Sequence, residues 1–255
     1  MLTDDLTSAL SAHPGARGLW LAGSRGRGDA DRYSDVDLWL VVDDVAGFLA
    51  DWPAVCDAVT PTVLRSQVGS APVFTQVTPD WQRFDLSVGT VADVPGRSRA
   101  GLVALWDPSG LHALLADGPP VPAVDRDLAV AVTTEFLRVM GLLPMVAFRG
   151  DGVLGASGAT LVRRLLLDLA HLAVPVADPG GASRRYALLA PGHRAVLEGL
   201  PAIAADRGSV LAVHRACLEA FVPLARELCG DRYPAELSEA LGAHLERELG
   251  WTAPA

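Results

Sequence analysis

The residues best suited to chemistry lie in one short stretch of the first half of the chain. Asp35 and Asp37 alternate with apolar residues in Ser34-Asp-Val-Asp-Leu38. In a β-strand this spacing puts both carboxylates on one face, about 7 Å apart along the strand. Neighbouring carboxylates repel each other, and a hard cation with oxygen ligands, Mg²⁺ above all, relieves the repulsion. The pattern predicts a metal-binding strand end, and the simpler alternative is a solvated strand end.

A glycine-rich loop precedes these aspartates. Gly23-Ser24 follows an apolar segment and begins what we expect to be a short helix, whose N–H groups could face an anion. Arg25 and Arg27 could hold phosphate oxygens, although solvated loop charges explain them equally well. The loop lacks the Gly-Lys-Ser/Thr ending of a P-loop, and a metal-binding strand so soon after it does not fit a dinucleotide-binding fold. Loop and aspartates together predict a nucleoside triphosphate bound through its phosphates.

Alternating strand and helix patterns surround these residues in the first half of the chain. Period-2 and short apolar runs predict strands, and 3.6-residue periodicity predicts helices. Thr78-Pro-Asp80 is a turn signal between two antiparallel strands. The predicted strands cover 18–22, 36–42, 72–77, 83–88 and 102–106, and the predicted helices cover 6–13 and 45–59.

The sequence pattern of the second half differs from that of the first, and the change begins at Gly118-Pro-Pro-Val-Pro122. The three prolines predict a stiff, extended linker. Beyond it only helical patterns recur, over 125–146, 156–173, 209–229 and 234–249. We therefore expect an α+β protein, with an N-terminal α/β domain built on a mixed sheet over 1–118 and a C-terminal helical bundle domain over 123–255.

The motif resembles a known family. Gly23-Ser24, ten intervening residues and Asp35-Val-Asp37 are similar to the signature of the polymerase-β-like nucleotidyltransferase superfamily. Tyr33-Ser-Asp-Val-Asp37 resembles in particular the antibiotic nucleotidyltransferases that modify aminoglycosides or lincosamides. The family also has a third carboxylate on a later antiparallel strand, for which Asp85 in Arg83-Phe-Asp-Leu-Ser-Val88 is suitably placed. The resemblance covers roughly residues 15–115, and the helical half only in architecture.

The resemblance implies an enzyme that transfers a nucleoside monophosphate, AMP from ATP in the first instance, to a hydroxyl of a small molecule and releases pyrophosphate. It implies a divalent metal, which we expect to be Mg²⁺ and to number two ions. Asp35 and Asp37 would be its ligands. Asp85 is either a third ligand or the general base that takes the hydroxyl proton. The triphosphate would lie at Gly23 and Ser24, with Arg25 and Arg27 beside it. The helical domain would bind the acceptor.

Two acids of the helical half are candidate acceptor-binding residues. Some relatives take the general base from the helical domain, and Glu135 on its first helix is the obvious candidate, although an ordinary exposed acid is the simpler interpretation. Asp168 could contact a cationic substrate, but an i,i+4 pair with Arg164 explains it as well. For the whole chain, a protein-modifying adenylyltransferase of the toxin–antitoxin type and a non-catalytic nucleotide-binding module are the alternatives.

Composition limits the partners. The 255 residues carry a net charge of −9, of which residues 1–122 contribute 8 Arg against 15 Asp. This balance argues against nucleic acid as a partner and favours divalent cations and a cationic, aminoglycoside-like acceptor, with a lincosamide left open. We find no signal-peptide pattern and no apolar run near the roughly 18 residues that span a bilayer. The three cysteines lack CxxC spacing, which favours reduced thiols. We therefore expect a cytoplasmic protein without a membrane partner. A homodimer is one option for its oligomeric state.

Overall fold

The chain divides into two compact units, Met1–Pro119 and Pro120–Ala255. The computed structural model describes residues 2–118, 120–178 and 180–252. Each unit has a hydrophobic core of its own. Within the predicted linker 118–122, Pro119 lies outside the described residues.

The first unit is built on one mixed sheet of six strands in the order β3-β4-β5-β2-β1-β6. Strands β2 and β5 run parallel, and the other neighbouring pairs are antiparallel. The strands are β1 Ala16–Leu21, β2 Val36–Val42, β3 Leu64–Gln67, β4 Val73–Val77, β5 Arg83–Gly89 and β6 Val103–Trp106, and the helices are α1 Leu2–Ser11, α2 Gly23–Arg27 and α3 Val45–Val59. The predicted α+β class and the mixed sheet are thereby confirmed.

Strand β2 is buried on both faces of the sheet, which explains its nearly continuous apolar sequence. On one face, Leu38 and Leu40 pack with apolar residues of α1 and α3. On the other face, Trp39 packs against Trp20 of β1 with ring centroids 4.7 Å apart, and two 3-10 segments, Val91–Gly96 and Leu111–Leu114, add apolar side chains to this cluster. Because side chains two residues apart share a face, Asp37 lies on the Trp39 face, at the start of the strand.

The second unit contains helices throughout its described part. Its core is formed chiefly by buried side chains of three helices, with Phe136 and Phe221 stacked at a centroid distance of 3.6 Å. The helices are α4 Arg126–Met140, α5 Leu143–Arg149, α6 Gly152–Leu172, α7 Ala182–Ala187, α8 Pro191–Glu198, α9 Arg207–Cys229 and α10 Ala235–Leu249. The core helices α4, α6 and α9 each begin after an aspartate that accepts a hydrogen bond from a backbone N–H of the first turn.

Several elements differ from the sequence expectation. The predicted helix over 125–146 is two helices, because α4 ends at Met140 and Pro144 stands in the first turn of α5. The short helices α7 and α8 were not predicted. Strand β3 was not predicted either, since it is an edge strand whose four residues are largely exposed and carry no apolar alternation.

Two stretches of the helical unit, Arg126–Arg149 and Arg207–Arg232, are long and apolar enough to cross a membrane by length and composition alone, with mean hydropathies of 1.5 and 1.2. They are 44% and 50% buried inside the structure, and core helices of soluble proteins have the same properties. The absence of a membrane partner therefore stays a prediction.

We expect the stability of the protein to fall in mild acid because of one buried histidine. His214 on α9 is 3% exposed, and its burial lowers the pKa of the imidazole below the usual 6.5. The unfolded chain then binds a proton that the folded chain does not, so this loss begins as the pH falls through 6.5 and reaches at most ~1.4 kcal/mol at pH 5.5. Urea unfolding at pH 8 and pH 5.5 checks this, with His214→Gln as the comparison. An equal loss in the variant would contradict the assignment to His214.

Candidate active site

Asp35, Asp37 and Asp85 meet at one end of the parallel pair β2–β5. Asp37 is directly opposite Asp85 in the strand register, and Asp35 immediately precedes β2. One carboxylate oxygen from each residue lies within 4.8 Å of those from the other two, and all three residues are half-buried. The structure thus brings together the three acids that the sequence predicted, although they are up to 50 residues apart in the chain.

The cluster is electrostatically costly without a counter-charge. Partial burial raises the pKa of Asp37 from 3.8 to about 6, and the negative charges of Asp35 and Asp85 contribute to the rise. The guanidinium groups of Arg27 and Arg83 act in the opposite direction. These two cations therefore offset only part of the effect of burial and of the neighbouring carboxylates on Asp37.

Two residues that support the cluster were missed in the sequence. Thr75 on β4 donates a hydrogen bond from Oγ1 to Oδ1 of Asp85 at 2.6 Å. Arg83 on β5 lies with Nη2 3.7 Å from Oδ2 of Asp35. Arg83 could have been found from strand geometry because it shares a strand face with Asp85, whereas the pairing of Thr75 with Asp85 depends on a register that the predicted turn does not give.

The glycine loop packs against the carboxylate of Asp37. Gly23 begins α2 in a left-handed conformation with φ +60°, and a Cβ at this position would overlap the Asp37 carboxylate. The N–H of Ala22 donates to the carbonyl oxygen of Asp37 at 2.8 Å, which fixes the end of β1 against β2. Oγ of Ser24 is buried and has no hydrogen-bond partner in the described part of the chain. The loop therefore holds a buried hydroxyl without a partner directly after the glycine that packs against Asp37.

Both arginines of the glycine loop make contacts within the protein. Arg25 donates from Nε to the carbonyl oxygen of Asp35 at 2.9 Å and from Nη2 to that of Ser34 at 3.1 Å. Arg27 lies with Nε 3.3 Å from Oδ2 of Asp29. Arg25 thus ties α2 to the residues that precede β2. Its predicted role as a phosphate ligand stays a prediction, as does that of Arg27.

Comparison with known proteins finds similar solved structures, two of which follow. The chain is similar to an aminoglycoside 6-adenyltransferase from Bacillus subtilis, with 12% identity, a TM-score of 0.44, and coverage of 94% of this chain and 95% of that one. It is also similar to a nucleotidyltransferase-like protein from Exiguobacterium sibiricum, with 15% identity, a TM-score of 0.37, and coverage of 98% and 87%. No family model and no curated protein matches the chain. Because both TM-scores are below 0.5, the function proposed below rests on the geometry of the site.

The donor set fits a hard divalent cation. Three carboxylates offer only oxygen ligands, which are those that Mg²⁺ and Mn²⁺ prefer, and the described residues of the cluster include no thiol or imidazole. Burial and the charges of Asp35 and Asp85 keep the pKa of Asp37 high even with Arg27 and Arg83 nearby, and a divalent ion would supply further positive charge. Asp35, Asp37 and Asp85 would hold the metal.

The two acids predicted to contact the acceptor lie in the helical unit, each paired with an arginine of its own helix. Glu135 on α4 accepts two hydrogen bonds of 2.7 Å from Arg138, which hold the pKa of the Glu135 carboxyl below its usual value. Asp168 on α6 accepts bonds of 3.0 and 3.1 Å from Nε of Arg164, so the predicted i,i+4 pair is confirmed. A low pKa makes Glu135 a poor general base, while contact of either acid with an acceptor stays a prediction.

Proposed function

We propose that the chain is a metal-dependent nucleotidyltransferase that transfers a nucleoside monophosphate, AMP from ATP, to a hydroxyl of a small molecule and releases pyrophosphate. The observation that carries the proposal is the meeting of Asp35, Asp37 and Asp85 beside the Gly23 turn. Three carboxylates with no cation of comparable charge suit the binding of a metal–triphosphate complex.

Each side chain of the site has a separate role in this proposal. Asp35 and Asp37 would hold the metal and so help to orient the triphosphate, and the positive charge of such an ion would offset the charge that develops on the phosphate oxygens. Ser24 offers its unpartnered hydroxyl as a hydrogen-bond donor to a phosphate oxygen. Thr75 fixes one oxygen of Asp85 and so orients its carboxylate towards the other two. Asp85 then serves as a further metal ligand or takes the proton of the attacking hydroxyl.

The acceptor class is proposed from charge. Residues 1–122 carry most of the net negative charge of the chain, −7 of −9, and this charge attracts cationic substrates such as aminoglycosides. The proposal includes a cytoplasmic location and a role in antibiotic resistance. The three cysteines are free and buried, as expected of a reducing compartment.

A direct assay tests the proposal. Purified protein with ATP, MgCl₂ and a panel of aminoglycosides and lincosamides should release pyrophosphate and give an acceptor heavier by one AMP residue. Asp85→Asn is the negative control, because Asn keeps the shape but neither holds a metal as strongly nor takes a proton. Tight Mg-ATP binding without pyrophosphate from any acceptor would favour a non-catalytic module, and an adduct on a co-expressed protein would favour protein modification.

A further inference from the structure

The helical unit contains an apolar cavity of about 280 Å³ that the function above does not use. It lies between α5, α6 and the residue His214 of α9, and its lining is mostly aliphatic. Four of the lining side chains, on or next to α5 and α6, keep 38% to 51% of their surface exposed, so the cavity opens to solvent: Leu142, Met145, Leu154 and Leu161. An apolar concavity of this kind suits an apolar ligand.

Glycines of α6 create part of this space, and one of them has no packing reason to be glycine. A Cβ at Gly155 would lie 3.0 Å from both Cγ atoms of Val210, so packing against α9 requires a glycine there. A Cβ at Gly158 would instead meet only the ring of His214, at the ordinary distance of 3.5 Å from Nε2. Glycine inside a helix costs about 1 kcal/mol relative to alanine. Gly158 therefore leaves open space beside the imidazole.

His214 presents a hydrogen-bond acceptor at this place. Its Nδ1 lies 2.8 Å from the carbonyl oxygen of Val210, and because a carbonyl only accepts, Nδ1 carries the proton. In the neutral ring Nε2 is then an acceptor, and no described residue donates to it. Burial keeps the ring neutral by lowering the pKa of His214. Nε2 lines the open cavity, so a molecule bound there can donate a hydrogen bond to it in place of solvent water.

We propose that this cavity binds an uncharged, mainly apolar small molecule that donates one hydrogen bond, from a hydroxyl, to Nε2 of His214. The volume is about twice the roughly 150 Å³ of an apolar cavity that holds benzene, so one or two rings fit. Arg138 at the cavity does not call for an anion, because Glu135 already neutralises it through two hydrogen bonds. A partner protein that only covered the opening with a flat surface would not reach Nε2 with a hydrogen-bond donor, so a small molecule inside the cavity fits better. The proposal concerns the helical unit alone and is independent of nucleotide transfer.

Binding of 2-naphthol and of its methyl ether to the full chain tests the proposal. The two probes share their rings, but only 2-naphthol donates a hydrogen bond. We expect 2-naphthol to bind about tenfold more tightly than the ether, as one buried hydrogen bond predicts. In His214→Phe the preference should fall to about one, with the ether still bound. Gly158→Ala should weaken 2-naphthol selectively, because its methyl group covers Nε2, and this change keeps the test available if His214→Phe does not fold.

A matched pair of substitutions locates the binding site. Gly158→Leu fills the cavity and should abolish binding of both probes, whereas Thr160→Leu, on an exposed position of α6 outside the lining, should leave both affinities unchanged. Absence of binding by either probe would overturn the proposal. Equal affinity of the two probes for the unsubstituted protein would overturn the role of His214. A self-association that Gly158→Leu abolishes, without probe binding, would show an interface between copies instead.

Discussion

Asp37→Asn should lower the rate of nucleotide transfer by about a thousandfold or more while the protein stays folded. A bound metal contributes several kcal/mol of charge stabilisation in phosphoryl transfer, and a tenfold rate change corresponds to about 1.4 kcal/mol. Burial raises the pKa of Asp37, and the charges of Asp35 and Asp85 add to the rise. Steady-state pyrophosphate release measures the effect.

Thermal unfolding shows whether Asp37→Asn loses activity because the metal site is lost or because the protein unfolds. In EDTA at pH 8, Asp37→Asn should unfold at a temperature no lower than that of the unsubstituted protein, because the change removes a charge that the neighbouring carboxylates disfavour. Added MgCl₂ should raise the melting temperature of the unsubstituted protein and of Asp51→Asn, an exposed acid of α3, but much less that of Asp37→Asn. An Asp37→Asn variant that keeps full activity would contradict the metal site.

Asp35 and Asp37 could be predicted from the sequence because strand periodicity places both on one face. Asp35 and Asp37 flank Val36, and the apolar run that follows indicates a buried strand. In such a strand both aspartates lie on the face opposite to Val36. Asp85 was implied only by the resemblance to a known family, and the parallel pairing of β2 with β5, with the register that sets Asp37 opposite Asp85, appears only in the structure. Thr75 was out of reach of the same reasoning, because a hairpin centred on the Thr78–Asp80 turn would pair it with Arg83, whereas the observed connection over 78–82 pairs it with Asp85.

Features that depend on tertiary packing could not be predicted. Whether Arg25 faces a ligand or its own backbone depends on the path of residues 28–34, which no periodicity determines. The cavity at His214 depends on how α5, α6 and α9 cross, and its two main contributors, Gly158 and His214, are 56 residues apart. In the sequence, Gly158 is indistinguishable from Gly155, although only Gly155 is required by packing.

The Gly23 turn links the loop to the carboxylates, and this makes Gly23→Ala the more informative substitution. The new methyl group would overlap the Asp37 carboxylate, and the backbone would keep a positive φ that alanine disfavours by about 1 kcal/mol. Asp37 must then move away from Asp35 and Asp85. A displacement of about 1 Å in a catalytic constellation costs about a hundredfold in rate. We therefore expect Gly23→Ala to lose about a hundredfold in pyrophosphate release and to bind Mg²⁺ more weakly.

Gly28→Ala is the matched control for the overlap with Asp37. Gly28 has φ +78°, also in the left-handed region, but a Cβ there would meet nothing within 4 Å. Both variants should therefore lose about 1 kcal/mol of unfolding free energy through backbone strain, measured by urea titration, while only Gly23→Ala loses activity. Equal losses of activity would mean that strain in the loop, and not contact with Asp37, accounts for the effect. Retained activity in Gly23→Ala would show that the close approach of Gly23 to Asp37 has no part in catalysis.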